Sequence, residues 1–290
     1  MPQYSSNRKN MADRKHAVVT GAASGLGRDI SIALARKGFR VLVADIDPKE
    51  AAVTLTMVEQ AGGSGEIYPC DVTRVEEVQK MAEHVFGSWG ALDLLVNNAG
   101  VAATGVVGDM PIEDWHWLVN INLWGMIYGC HAFIPKMKQV RRGHIINVAS
   151  AAGIVSMPEM ACYNVSKAAV ISLSETLRGE LSSFDIGVSV VCPTFFNTNL
   201  LRDMRYCDEF QCTFAHAAFD NARMTSEDIA ALTVRAYEKN RLYVVPQASA
   251  KMQWFLKRLS PASYYENFAR LNKSDMFRRL VLVLARLGLT

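Results

Sequence analysis

Short runs of β-branched and aliphatic residues alternate along the chain with longer segments whose apolar positions recur every three to four residues. The first pattern marks strands buried on both faces, and the second marks amphipathic helices packed over them. The alternation therefore predicts βαβ units and a parallel sheet. Strands are expected near 16–20, 40–44, 66–69, 92–96, 144–149, 188–192 and 242–245, with helices near 25–37, 48–61, 75–86, 112–137, 161–184 and 226–239. The expected class is α/β: three layers, with a doubly wound parallel sheet of about seven strands covered by helices on both faces. Residues 195–224 interrupt the rhythm just after a strand and read as a long irregular connection, the usual form of a substrate loop. Beyond Pro246 the alternation stops.

Composition changes little in this picture until charge is divided along the chain. Half of the 290 residues are hydrophobic and the net charge is +3, which excludes disorder and collagen-like classes. Residues 1–15 carry +3 through Arg8, Lys9, Arg14 and Lys15 against Asp13. Residues 251–290 carry +6, leaving −6 on the middle. An acidic body gives no reason to expect nucleic acid as a partner. Three regions follow: a flexible tail over 1–13, one domain over 14–250 with its loop near 195–224, and a basic extension over 251–290.

Cys70, Cys130, Cys162, Cys192, Cys207 and Cys212 form no CxxC pair and stand at no zinc-ligand spacing with histidine. The expectation is reduced, mostly inert thiols, a cytoplasmic setting and no metal. His116, His131, His144 and His216 read as surface or satisfied core residues, and Cys162 lacks an activator other than Lys167. The first ten residues lack the apolar run of a signal peptide, and no window holds the roughly 18–20 apolar residues of a spanning helix.

The chemistry gathers at the carboxyl ends of the expected strands, where open α/β sheets bind ligands. Thr20-Gly21-Ala22-Ala23-Ser24-Gly25-Leu26-Gly27 follows the first strand and opens the first helix. Glycines there allow a tight turn and let backbone N–H groups approach a pyrophosphate, beside the positive end of a helix. Asp45 ends the second strand, where a carboxylate can accept hydrogen bonds from an adenosine ribose; Asp71-Val72 follows the third and Asn97-Asn98-Ala99-Gly100 the fourth. The carboxylate of Asp45 would repel a 2′-phosphate, and Arg28 on the first helix and Arg40 at the head of a strand read as standing apart from it, so NAD(H) is expected over NADP.

Ser150 ends a strand, and Tyr163 and Lys167 share one face of the helix that follows. A nearby ammonium would favour the phenolate, by roughly 3 pKa units before desolvation, and bring the phenol within reach of acid–base work. Ser150 could orient a substrate oxygen.

With these residues in order, the chain resembles a classical short-chain dehydrogenase/reductase over about 14–246. The resemblance carries its glycine-rich turn to Thr20–Gly27, its Asn-Asn-Ala-Gly to Asn97–Gly100, its serine to Ser150 and its Tyr-x-x-x-Lys to Tyr163 and Lys167. A fourth catalytic member, an asparagine, falls on Asn122. The implications are a Rossmann-type fold, hydride transfer between NAD and an alcohol or ketone carbon, and association of subunits through the two long helices into a homodimer or homotetramer. Tyr163 would be the general acid/base, Lys167 its electrostatic partner and a ribose ligand, Ser150 the carbonyl orienter, and Asn122 the holder of a water toward Lys167. The dinucleotide set becomes Gly21, Ser24, Gly25, Leu26, Gly27, Asp45, Asp71, Val72, Asn98, Ala99, Gly100, Tyr163, Lys167, Pro193, Thr194 and Thr198. One departure stands out: Pro193-Thr194 replaces the family's Pro-Gly.

Apolar residues flank the expected carbonyl position, and Ala152, Met157, Phe195, Phe196 and Leu200 join Ser150 and Tyr163 as candidate substrate contacts. They favour a small hydrophobic alcohol or ketone of steroid, retinoid or fatty-chain type. A fatty-acyl-CoA or aldehyde reductase is the alternative, opposed by Asp45; a silent dinucleotide scaffold is a third, opposed by the complete catalytic set. In the extension, Met252, Phe255, Leu256 and Leu259, then Met276, Leu280, Val283, Leu284 and Leu287, recur at helical spacing on either side of Ser260-Pro261. Such basic amphipathic helices can pack on their own protein, on a partner subunit, or peripherally on a membrane.

Overall fold

The computed structural model describes residues 15–288; the expected tail over 1–13 lies outside them, as does Arg14. The first half runs β1 (His16–Thr20), α1 (Gly25–Ala35), β2 (Arg40–Asp45), α2 (Pro48–Gln60), β3 (Ser64–Pro69), α3 (Val75–Trp89), β4 (Leu94–Asn97), β5 (Ala103–Thr104) and α4 (Ile112–Val119). After a π-helical turn at Asn120–Trp124 come α5 (Gly125–Val140), β6 (Gly143–Val148), α6 (Ala151–Ile154), α7 (Ala161–Leu181) and β7 (Ile186–Val191). A 3₁₀ turn at Asn199–Leu201 leads to β8 (Arg205–Tyr206), α8 (Glu209–Asp220), α9 (Ser226–Lys239) and β9 (Tyr243–Val244). Three helices close the chain: α10 (Ala248–Leu259), α11 (Pro261–Asn272) and α12 (Asp275–Arg286).

Seven strands form one parallel sheet in the order β3-β2-β1-β4-β6-β7-β9. The order reverses between β1 and β4, so the crossovers diverge there and leave a crevice at the carboxyl edge. Alternate residues of each strand feed opposite cores. Val19, Val41 and Val96 meet Ile30 and Leu34 of α1 with Ile229 and Val234 of α9. Val18, Leu42 and Leu95 meet Met81 of α3, Phe133 of α5 and Leu177 of α7. This is the expected doubly wound, three-layer Rossmann-type sheet, with a helical region at the C-terminus.

Three elements differ from the pattern read in the sequence. The helix expected over 112–137 is two α-helices joined by the π turn, in which the Gly125 N–H reaches back to the Asn120 carbonyl. A π turn inserts one residue without breaking the apolar stripe, so periodicity does not reveal it. The connection over 195–224 is not irregular throughout: it holds the 12-residue helix α8, whose Asp208 cap accepts from the Phe210 N–H at 2.7 Å. The extension breaks at Ser260 as expected and again before Ser274, which caps α12 by accepting from the Met276 N–H at 3.2 Å.

Candidate active site

The glycine-rich turn is built for close approach. Gly21 adopts φ +62°, and a Cβ there would stand 2.7 Å from the Ala99 Cα. At Gly27 a Cβ would fall 2.1 Å from the Gly21 carbonyl oxygen, and at Gly25 2.8 Å from Thr198 Oγ1. Only glycine fits at these points. Ser24 occupies the cap position of α1 without a side-chain cap bond, and Leu26 anchors the first turn in the core. The first-turn N–H groups therefore lack a side-chain acceptor, which suits a pyrophosphate.

Asn98 and Ala99 hold this turn from the neighbouring strand. Both backbone N–H groups donate to Thr20 Oγ1, at 3.0 and 3.2 Å, and Asn98 Nδ2 donates to the Thr20 carbonyl at 2.9 Å. Asp45 accepts from the Ala23 N–H at 2.8 Å and the Asp47 N–H at 3.0 Å. Asp71 accepts from both the N–H and the hydroxyl of Thr73, and Val72 lies against Gly125, where a Cβ would stand 2.9 Å from its side chain. Arg28 is closer to this end than its place on the helix suggested. It folds back to donate to the Ala23 carbonyl, while its other contacts are Thr54 Oγ1 at 2.9 Å and the Glu50 carboxylate at 2.8 Å. Arg40 lies at the opposite end of β2, stacked on Trp89.

At the reacting end, Ser150 caps α6 by accepting from the Ala152 N–H at 3.1 Å, and its hydroxyl donates to the Pro193 carbonyl at 3.3 Å. It also lies beside the Tyr163 phenol, which it lowers against the effect of burial. Lys167 is buried, its Nζ donating to the Val148 carbonyl at 3.0 Å and lying 5.7 Å from the centre of the Tyr163 ring. Gly100 sits between Asn122 and Lys167: a Cβ there would be 3.2 Å from Asn122 Oδ1 and 3.5 Å from Lys167 Nζ. All four expected catalytic residues thus converge on one edge of the sheet.

Two details lie beyond what spacing conveys. The Asn122 side chain bonds both backbone groups of Val101, at 2.8 and 2.9 Å, and so fixes the segment that follows Gly100. Within the protein alone, the Tyr163 phenol stands above its ordinary value. Burial pushes it up to about 12, with Ser150 opposing. Burial also pushes the Lys167 ammonium down to about 8. Desolvation exceeds the charge effect that spacing alone suggested.

The expected substrate residues divide. Ala152 gathers with Tyr163, Val101, Ala102 and Met160, and Trp115 and Trp117 join this cluster unforeseen. Phe195 packs edge-on against Phe214 and Phe219 of the α8 region, at 5.7 and 5.2 Å. Leu200 lies on the 3₁₀ turn, half-buried. Met157 faces the extension, among Trp254 and Tyr264. Phe196 leaves the set: it is 7% exposed and belongs to the core beneath α1 and α9, because successive side chains of an extended segment point to opposite sides.

The nicotinamide end can be tested for fit. Thr194 Oγ1 is buried with no hydrogen-bond partner in the protein, while its N–H donates to Gln247 Oε1 at 3.0 Å. Thr198 faces Gly25 across the same crevice. An orphaned hydroxyl on the loop that carries Thr198 to the glycine turn fits a polar group of a bound dinucleotide.

Glu159 is a residue that pattern reading missed. It adopts φ +62°, accepts from Gln211 Nε2 of α8 at 3.0 Å and pairs with Arg278 of α12. One carboxylate ties the segment before Tyr163 to both helices that cover it.

Comparison with known proteins matches this geometry. The family model of the short chain dehydrogenases fits residues 15–207. The "Probable oxidoreductase EphD" of Mycobacterium tuberculosis is 38% identical over 186 residues, covering 63% of this chain but only 31% of that protein, so the chain spans about a third of this relative. A "CLA biosynthesis dehydrogenase/reductase" of Lactiplantibacillus plantarum is 31% identical over 271 residues, covering 86% of this chain and 95% of that one. Among solved structures, a short chain dehydrogenase/reductase of Burkholderia phymatum in complex with NAD superposes with a TM-score of 0.81 at 30% identity, covering 87% of this chain and 95% of that one. On sequence, sheet order and site geometry together, the chain belongs to the short-chain dehydrogenase/reductase family of nicotinamide-dinucleotide oxidoreductases.

Proposed function

We propose that the protein transfers a hydride between NAD(H) and the carbon of a hydrophobic secondary alcohol or ketone of steroid, retinoid or fatty-chain type. The observation that carries the reading is the buried Tyr163 phenol, set beside Ser150 at the crevice whose other end is Asp45 and the glycine turn. Gly21, Ser24, Gly25, Leu26 and Gly27 would hold the pyrophosphate, and Asp45, Asp71 and Val72 the adenosine end. Asn98 to Gly100, Lys167, Pro193, Thr194 and Thr198 would hold the nicotinamide half. When bound, the dinucleotide supplies the hydride acceptor or donor.

The chain's own residues handle the proton. With its phenol near 12, Tyr163 is protonated at neutral pH and can donate to a substrate oxygen that Ser150 orients. Lys167 stands below it as a cation or a neutral amine according to pH. The cluster of Val101, Ala102, Ala152, Met160, Trp115 and Trp117 around the phenol offers burial and no charge, which favours an apolar substrate. We place the subunit interface of a homo-oligomer on the two long helices, where Trp124, Val140 and Val165 are exposed.

The test is a panel of steroids, fatty-chain alcohols, hydroxyacyl-CoAs and sugars, followed as NADH absorbance. Turnover of apolar secondary alcohols with NAD is expected. Turnover confined to acyl-CoA esters or sugars, or a preference for NADP, overturns the reading.

A further inference from the structure

The three C-terminal helices have two unlike faces. The inner one is fastened to the body. Lys257 Nζ donates to the Ile154 carbonyl, the Ser156 N–H donates to the Tyr265 hydroxyl at 3.1 Å, and Arg278 pairs with Glu159 and lies over the Phe210 ring. Ala250 and Ala285 are buried beneath them.

The outward sides of α10 and α12 are apolar. On α10, Met252, Phe255, Leu256 and Leu259 are 46–66% exposed, and on α12 and its C-cap, Met276, Leu280, Val283 and Leu287 are 48–77% exposed. These eight are among nineteen exposed large hydrophobic residues described, a concentration that a water-facing surface does not favour. Each stripe follows the helical repeat, and each has a cationic flank. At 3.6 residues per turn, Lys251 and Arg258 fall along one side of the first stripe, and Arg279 and Arg286 along the same side of the second. All four are exposed.

We propose that α10 and α12 dock the protein on the surface of an anionic bilayer, with the apolar stripes in the acyl boundary and the basic flanks among the headgroups. Charge selects this occupant. A second copy of this cationic face offers no opposite charge, whereas an anionic bilayer offers apolar depth and opposite charge together. At 12 residues each helix spans about 18 Å, against roughly 30 Å of hydrocarbon, so it lies in the interface rather than crossing it. No described helix is long and apolar enough to cross. The inference stands independently of the substrate reading.

The experiment is flotation of the full chain with phosphatidylcholine vesicles, with and without phosphatidylglycerol, at low and high salt. Beside it run the double variants L280E/V283E, F255E/L259E and R279E/R286E, each checked for wild-type thermal melting and solution mass. Binding to the anionic vesicles is expected, weakened by salt and by loss of phosphatidylglycerol, and reduced about tenfold or more in any melting-competent variant. Having two apolar pairs on separate helices keeps the test alive if one fails to fold. Absence of wild-type binding, or binding indifferent to lipid charge and to every variant, overturns the proposal. So does a fall in solution mass in the apolar variants, which would assign the stripes to a second copy.

Discussion

Lys167 Nζ stands 5.7 Å from the centre of the Tyr163 ring and gives its hydrogen bond to the Val148 carbonyl. The ammonium is thus a neighbour of the phenol, and the phenol stays protonated at neutral pH with its value near 12. Y163F is expected to lower turnover by about a thousandfold or more, a general acid–base contribution of 10²–10⁴, while NADH still binds. Fluorescence titration of NADH beside steady-state rates checks both halves. Alcohol oxidation should rise with pH across the alkaline range as the deprotonated phenol gains population, and ketone reduction should not.

Asp45 and Arg28 sit on the two sides of Ala23, one holding its N–H and the other its carbonyl. Removing the carboxylate takes away the repulsion against a 2′-phosphate and leaves a guanidinium close by. D45A is expected to shift the NAD/NADP ratio of kcat/KM toward NADP by about tenfold or more, corresponding to roughly 1.4 kcal/mol. Adding E50Q, which frees Arg28 from its ion pair, should extend the shift. An unchanged ratio in both variants would rule out the assignment.

G27A is expected to abolish dinucleotide binding, because its methyl would stand 2.1 Å from the Gly21 carbonyl and must displace the turn. Calorimetric titration with NAD measures this, and circular dichroism establishes that the sheet persists.

His144 is buried against Ser189, with Nε2 2.8 Å from its hydroxyl, and burial holds it down at about 4. Its folded value lies below the unfolded one, so between 6.5 and about 4 the unfolded chain binds a proton that the folded chain refuses. Stability should therefore fall as pH drops through that window, by about 2 kcal/mol between pH 7 and pH 5. In H144Q, the unfolding free energies from urea titration at pH 7 and pH 5 should converge by about that amount.

E159Q keeps a partner for Gln211 but loses the charge opposite Arg278. The expected result is a raised KM for apolar substrates, with the KM for NAD unchanged, because only the cover over the substrate side loosens. Parallel loss of both would show a general folding defect instead.

Much of this site was legible because the residues that carry it are also punctuation. Gly21, Gly27 and Asp45 end strands or begin helices, so pattern and chemistry fall on the same positions. What escaped was whatever depends on side-chain direction or on solvation. Phe195 and Phe196 are indistinguishable in sequence, yet one faces α8 and the other the core. The π turn that carries Asn122 leaves the hydrophobic period intact. The balance between burial and charge at Tyr163 needs the depth of the phenol, which spacing does not contain. Glu159 was invisible because its partners lie 52 and 119 residues away.

The sheet order has a consequence for how the chain reaches its native state. Every pairing in the seven-stranded sheet is parallel, so no strand can be joined to its neighbour by a tight turn. β1 emerges first yet lies in the middle, and its second neighbour β4 arrives 77 residues later in register, Ala17 beside Leu94. The crevice forms only when both flanks are present, and β9 completes the edge at Val191 beside Val244. A ribosome must therefore release most of the chain before the binding crevice exists, and folding should be slow for the size of the domain, with hydrophobic strands exposed to chaperones meanwhile.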